Sequence, residues 1–152
     1  MATFTSRSPE ETIALGEEWG REAKAGWVIG LTGDLGAGKT QLVKGIARGL
    51  AVPVGVHSPT FVLVNEYRGG NLPLFHLDLY RLESREQVIG AGLEEYLAHP
   101  EGVVVIEWAE RWFGEEFCSE SPAWRQLLRG RRVRINTLNE SERLIHYEDS
   151  GP

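Results

Sequence analysis

Apolar residues along the chain follow two periods, and switches between them mark the elements. Leu15, Trp19 and Ala23 recur every fourth position, which places them on one helix face. Ahead of them, Ser8-Pro9-Glu10-Glu11 reads as a capping box with proline in the first turn, and Gly26 stands where a C-terminal glycine belongs. Trp27 to Thr32 is a short apolar run that predicts a buried strand. A glycine-rich turn from Gly33 to Gly38 leads into a second helix from about Lys39, with Leu42, Val43, Ile46 and Ala47 on one side and Gly49 near its end.

Residues 54–82 read as extended chain. Phe61 to Tyr67 and Leu72 to Tyr80 flank Gly69-Gly70-Asn71, a hairpin signal. In the second arm the period of two places Leu74, His76, Asp78 and Tyr80 on one face, opposite Phe75, Leu77 and Leu79. Ser84 to Gln87 forms another capping box, opening a helix that Gly90 and Gly92 interrupt before Leu93 to Ala98. Gly102 to Glu107 is aliphatic throughout until its final carboxylate, the pattern of a central parallel strand. Val133 to Leu138 and Arg143 to Tyr147 alternate as a closing hairpin. Strands separated by helices predict an α/β fold: a mostly parallel central sheet flanked by helices, with added β-hairpins.

Composition narrows the class. The 152 residues suit one domain over 1–152, and 41% apolar with 25% charged residues is ordinary globular usage. A net charge of −6 argues against a stand-alone nucleic-acid binder. The single Cys118 leaves no partner for an intramolecular disulfide and fits a reducing compartment. Met1 to Glu10 lacks an apolar signal core, and no run approaches the ~18 apolar residues of a membrane span. The expectation is a cytoplasmic chain without membrane segments.

The chemistry starts at Gly33-Asp34-Leu35-Gly36-Ala37-Gly38-Lys39-Thr40, which matches G-x-x-x-x-G-K-[ST] at every fixed position, between a predicted strand and a predicted helix. Glycines there let backbone N–H groups curl around phosphate oxygens at the positive end of a helix. Lys39 would reach the β- and γ-phosphates, and the Thr40 hydroxyl would ligate Mg²⁺. The chain contains no Asn-Lys-x-Asp guanine signature, so ATP is the expected nucleotide.

Such a loop needs an acidic group at a neighbouring strand end to hold the metal or polarise water. Glu107 is the first candidate, the alternative being a solvated strand-end carboxylate. Asp78 is the second, the alternative being an exposed strand residue paired with Arg81. His76 and Asp78 on one strand face also form an incomplete transition-metal pair. Thr60, in Ser58-Pro59-Thr60-Phe61, is a candidate switch hydroxyl for the γ-phosphate or Mg²⁺, against a plain Ser-Pro turn.

Together with the glycine loop and Ser58 to Phe61, the segments His76-Leu-Asp-Leu-Tyr-Arg-Leu82, Gly92-Leu-Glu-Glu-Tyr96 and Val105-Ile-Glu-Trp108 occur in the order seen in the TsaE family, and the chain resembles it over roughly residues 8–112. The resemblance implies a P-loop NTPase-like fold, ATP and Mg²⁺ as ligands, and work in threonylcarbamoyladenosine modification of tRNA. It implies TsaB and TsaD as partners, with tRNA met indirectly through their complex. Carried onto this chain, Gly33 to Thr40 and Thr60 meet the triphosphate, Thr40, Glu107 and Asp78 serve the metal, and Lys39, Glu107 and Asp78 serve catalysis. Trp108 matches a tryptophan beside the site, and the base region falls near Pro9 and Arg143.

Two other readings use the same loop. A small-molecule P-loop kinase would grip phosphates with Arg125, Arg129, Arg131, Arg132 and Arg134, which otherwise form a solvated face or a contact for tRNA or an acidic partner. A regulatory subunit would act through conformation with negligible hydrolysis. With Lys39 the only cation that the motifs place at the γ-phosphate, ATPase activity is expected to be slow alone and raised by partners.

Overall fold

The computed structural model describes residues 2–33, 38–53, 64–98 and 100–150. Seven strands form one sheet: β1 (Ala2–Ser6), β2 (Val28–Gly33), β3 (Val64–Tyr67), β4 (Leu74–Asp78), β5 (Val103–Glu107), β6 (Gly130–Thr137) and β7 (Arg143–Asp149). Among the described residues five α-helices accompany them: α1 (Pro9–Glu22), α2 (Lys39–Gly49), α3 (Arg85–Gly90), α4 (Glu94–Ala98) and α5 (Glu110–Phe113). The strand order is β1-β7-β6-β2-β5-β4-β3. The four central strands β6, β2, β5 and β4 are parallel, while β3, β7 and β1 join antiparallel at the flanks. The expected parallel centre with added hairpins is there, but over its full width the sheet is mixed rather than mostly parallel.

Local chemistry explains the element ends. Ser8 caps α1 by accepting from the Glu11 amide at 3.1 Å, while the Glu11 carboxylate reaches past the cap to the Arg7 amide. Ser84 caps α3 in the same way, through the Gln87 amide. β4 stops at Asp78 instead of running on to Tyr80, because the Asp78 side chain accepts the Tyr80 amide at 3.0 Å and turns the chain. β6 and β7 are longer than the alternation predicts, and β1 and α5 carry no pattern strong enough to announce them. Of the expected strand Phe61 to Tyr67, Val64–Tyr67 forms β3 and residues 61–63 lie outside the described set.

The sheet buries both faces. On one, Ile29, Leu31, Val103, Val105, Val133 and Ile135 pack against Leu15 and Trp19 of α1 and Leu42, Val43 and Ile46 of α2. On the other, Phe75, Leu77, Val104 and Ile106 meet Val88, Trp112, Phe117 and Trp124. Helices α1 and α2 lie together in parallel through paired glycines. A Cβ on Gly16 would strike the Leu42 carbonyl and Gly45, and one on Gly20 would strike the Ile46 carbonyl and Gly49. Glycines cost helix stability, so their spacing of four on both helices marks the face where the backbones touch. This contact fixes α2, and with it the residues at its N-terminus, over the carboxyl ends of the parallel strands.

Candidate functional site

Three parallel strands end side by side at one edge: β2 at Gly33, β5 at Glu107 and β4 at Asp78. Ligands in parallel sheets gather beyond such carboxyl ends. Gly33 is the only residue type that fits its position, because φ is +143° and a Cβ would strike the Ile135 carbonyl of β6. Gly38 caps α2 in the left-handed region at φ +94°, with no side-chain cap. The positive end of the 11-residue helix α2 therefore opens beside the three strand ends.

Lys39 begins α2 and is only 5% exposed. Its Nζ donates to the Gly33 carbonyl at 3.0 Å and lies 4.2 Å from the centre of the Trp108 ring. Trp108 reaches that position through an unusual backbone, with φ +60° directly after β5. Tyr80 packs on the same indole at 5.2 Å, and the Arg111 guanidinium stands over it at 5.4 Å. Thr40 follows Lys39 in the first turn of α2, partly exposed.

The two carboxylates are neighbours across the sheet. Asp78 and Glu107 sit level in the β4–β5 register, so both face the side occupied by α2. Glu107 is 4% exposed, which sets aside the solvated strand-end reading. Burial raises the Asp78 carboxyl above its ordinary range; the Tyr80 amide opposes this, Glu107 adds to it, and His76 and Lys39 pull the other way. Asp78 thus lies within electrostatic reach of the other three. Arg81 is exposed and forms no ion pair with Asp78 among the described residues.

His76 is fully buried, and its Nε2 donates to Glu107 Oε2 at 2.5 Å. The sequence reading of His76 as half of a transition-metal pair misses this bond, since no local pattern joins residues 31 apart. No group of three or more His, Cys, Asp or Glu side chains among the described residues gathers as a metal site. The donors proposed from the sequence, the Glu107 and Asp78 carboxylates and the Thr40 hydroxyl, are all hard oxygens, which suit Mg²⁺ better than a transition metal.

The other expected residues divide. Asp34, Leu35, Gly36, Ala37 and Thr60 lie outside the described residues. Pro9 is exposed in the first turn of α1, at the same end of the parallel helix pair as Lys39. Arg143 opens β7 opposite Ser6 and Thr137, and its guanidinium donates to the carbonyls of Asn139 and Glu142 in the turn before it. The five-arginine segment is not one basic face, because β6 sends alternate residues to opposite sides. Arg131 is buried against Trp19, Trp27 and Tyr147 and bonds Asp149. Arg132 holds Glu148 and the carbonyls of Phe117 and Ser119, and Arg125 also holds Glu148. Arg129 and Arg134 remain exposed.

Comparison with known proteins agrees with the sequence resemblance. Residues 6–145 match the family model described as threonylcarbamoyl adenosine biosynthesis protein TsaE. A Nostoc sp. protein named tRNA threonylcarbamoyladenosine biosynthesis protein TsaE is 52% identical over 105 residues, covering 67% of this chain and 64% of that protein. Proteins of the same name from Bacillus subtilis and Treponema pallidum are 48% and 45% identical, covering 67% and 70% of this chain. The matched stretches span 63% and 77% of those two relatives, so for the first two relatives the match covers less than two thirds of their length. The crystal structure of Bacillus subtilis YdiB superposes with a TM-score of 0.72 at 34% identity, covering 99% of this chain and 86% of that one. No helix among the described residues is long and apolar enough to cross a membrane.

Proposed function

Because the chain belongs to the TsaE family of threonylcarbamoyl adenosine biosynthesis proteins, we propose that it binds and hydrolyses Mg-ATP within the machinery that makes threonylcarbamoyladenosine in tRNA. The observation that carries this reading is the gathering of Lys39, Glu107 and Asp78 where β2, β5 and β4 end beside the head of α2.

The residues suit a polyphosphate and a hard divalent cation. Gly33 and Gly38 supply backbone turns that side-chain-bearing residues would strain or block, and α2 supplies its positive end. Lys39, held between the Gly33 carbonyl and the Trp108 ring, carries the positive charge for β- and γ-phosphate oxygens. Thr40, Glu107 and Asp78 would hold Mg²⁺ through oxygen, and the ion would supply charge neutralisation for the phosphates. Glu107 is buried and its orientation is fixed, while Asp78 is the more accessible of the two carboxylates and serves through water or as a polarising group. Asp34 to Ala37 and Thr60 belong to the same proposal on sequence grounds.

The partners in this reading are TsaB and TsaD, with tRNA reached through their complex. The site has one buried lysine at its centre, the Arg111 guanidinium is engaged with the Trp108 ring, and the internal arginines Arg131 and Arg132 of β6 are occupied elsewhere. A second cation from a partner would complete the charge at the γ-phosphate, a contribution that reaches about 10³–10⁵ in rate in other nucleotide hydrolases. Steady-state ATPase assays on the protein alone and with TsaB and TsaD test the proposal. Low activity alone and a clear rise with both partners, abolished by Lys39→Ala, support it. Fast hydrolysis indifferent to partners contradicts the partner dependence.

A further inference from the structure

We infer that His76 is a positioning residue for Glu107, fixing one carboxylate oxygen so that the other is presented to the metal. The inference rests on the Mg²⁺ role proposed for Glu107. His76 and Glu107 come from adjacent parallel strands and face the same side of the sheet, since His76 is level with Val105 and Asp78 with Glu107. The imidazole sits one pleat behind the carboxylate and reaches forward to it.

Three features argue against a purely structural pair. Both side chains are buried, at 0% and 6% exposure, in a layer otherwise filled by Leu31, Leu74, Val103 and Val105. An aliphatic pair would pack there without the cost of removing a carboxylate from water. His76 Nδ1 is buried with no hydrogen-bond partner among the described residues, an omission that works against stability. Arg131, which also leaves one buried nitrogen without a partner, is nevertheless anchored by two bonds to Asp149 and by aromatic rings around it. His76 instead makes one short bond, to the one carboxylate at the end of the central strand.

That bond engages Oε2 alone. A carboxylate with one oxygen held by a buried N–H has lost its rotational freedom, so its second oxygen points in a defined direction before any cation arrives. Partners of this kind around metal ligands are typically worth about 10–100-fold in metal affinity or activity. The same geometry explains why β4 carries a histidine two residues before Asp78: one strand supplies an outer carboxylate and the holder of the inner one.

The test separates reach from mere polarity. In His76→Gln the side-chain amide lies near the place of Nε2, whereas in His76→Asn it lies near Nδ1 and falls short of Glu107. Mn²⁺ binding is measured by electron paramagnetic resonance with ATP present, and ATP binding without metal by calorimetry. His76→Asn is expected to weaken Mn²⁺ binding about 10–100-fold and leave metal-free ATP binding unchanged, with His76→Gln recovering most of the loss. As a readout within the folded parent, Glu107→Gln should move the imidazole Nε2–H proton resonance upfield as the charge-assisted bond weakens. Equal Mn²⁺ affinity in parent and His76→Asn, or a His76→Gln variant as poor as His76→Asn, overturns the inference while the proposed function stands. A parent that shows no ATP-dependent Mn²⁺ binding overturns both.

Discussion

Lys39 lies against the face of Trp108, Nζ 4.2 Å from the ring centre, and Trp108 is there because its backbone adopts φ +60° immediately after Glu107. A left-handed conformation costs a side-chain-bearing residue about 1–2 kcal/mol. The indole repays part of this through its contacts with Lys39, Tyr80 and Arg111.

This relationship makes Trp108→Gly and Trp108→Ala behave in an unexpected order. Both remove the ring, but glycine also removes the strain. Trp108→Gly should therefore be more stable than Trp108→Ala by about 1 kcal/mol in urea unfolding, with both binding ATP more weakly than the parent. Alanine equal to or better than glycine would show that the left-handed turn carries no strain.

Asp78 sets a pH dependence on stability. Burial raises its folded carboxyl above the ordinary value of 3.8, so the folded state holds the proton more tightly than the unfolded chain. The contribution of the protonated form is fully present below 3.8 and is lost as pH rises through the raised value. Asp78→Asn keeps the oxygen that accepts the Tyr80 amide and escapes the loss. Thermal melts of metal-free protein should show Asp78→Asn more stable than the parent at pH 7, the gap closing as pH falls toward 3.8, while turnover is lost. A parent more stable than the variant at pH 7 would contradict the assigned burial.

The glycine contact between α1 and α2 predicts an overpacking defect. Gly16→Ala or Gly45→Ala raises helix propensity, yet each new methyl meets backbone of the facing helix. Each should destabilise by about 1–3 kcal/mol in urea unfolding. The displacement of α2 should also weaken ATP binding. Unchanged or increased stability would mean that the helices separate without cost.

The arginine segment should split by face. Arg131→Glu places a second acid beside Asp149 inside an aromatic cage, so it should unfold the protein or lower its melting temperature severely. Arg129→Glu and Arg134→Glu, at exposed positions, should leave the fold intact and report on any electrostatic contact with a partner, strongest at low salt. Assembly unchanged at every salt concentration would leave those two as solvated residues.

Much of this arrangement is legible in the chain because its signals are local. Ser8 and Ser84 act as the caps that their spacing predicts, and the strands around Leu31 and Val105 follow from continuous apolar runs. The end of β2 at Gly33, the start of α2 at Lys39 and the strand that ends at Glu107 are likewise read directly from local pattern. What escapes is pairing between distant segments. The His76–Glu107 bond depends on β4 lying beside β5, and alternation alone offered His76 as a metal ligand. The arginines of β6 look like a basic patch in one dimension, whereas the pleat divides them and Trp19, Glu148 and Asp149 absorb three of the five. β1 is missed because five residues with one pairing partner carry little pattern of their own.

Calorimetric titration of ATP into the parent protein and Lys39→Ala, with and without Mg²⁺, shows whether this site takes a nucleoside triphosphate. The parent should bind saturably and more tightly with Mg²⁺. Loss of the Lys39 ammonium should cost about 1.5–3 kcal/mol, roughly ten- to a hundredfold in affinity. A parent that does not bind ATP, or a Lys39→Ala variant that binds it equally well, would contradict the assignment of this site to a nucleoside triphosphate.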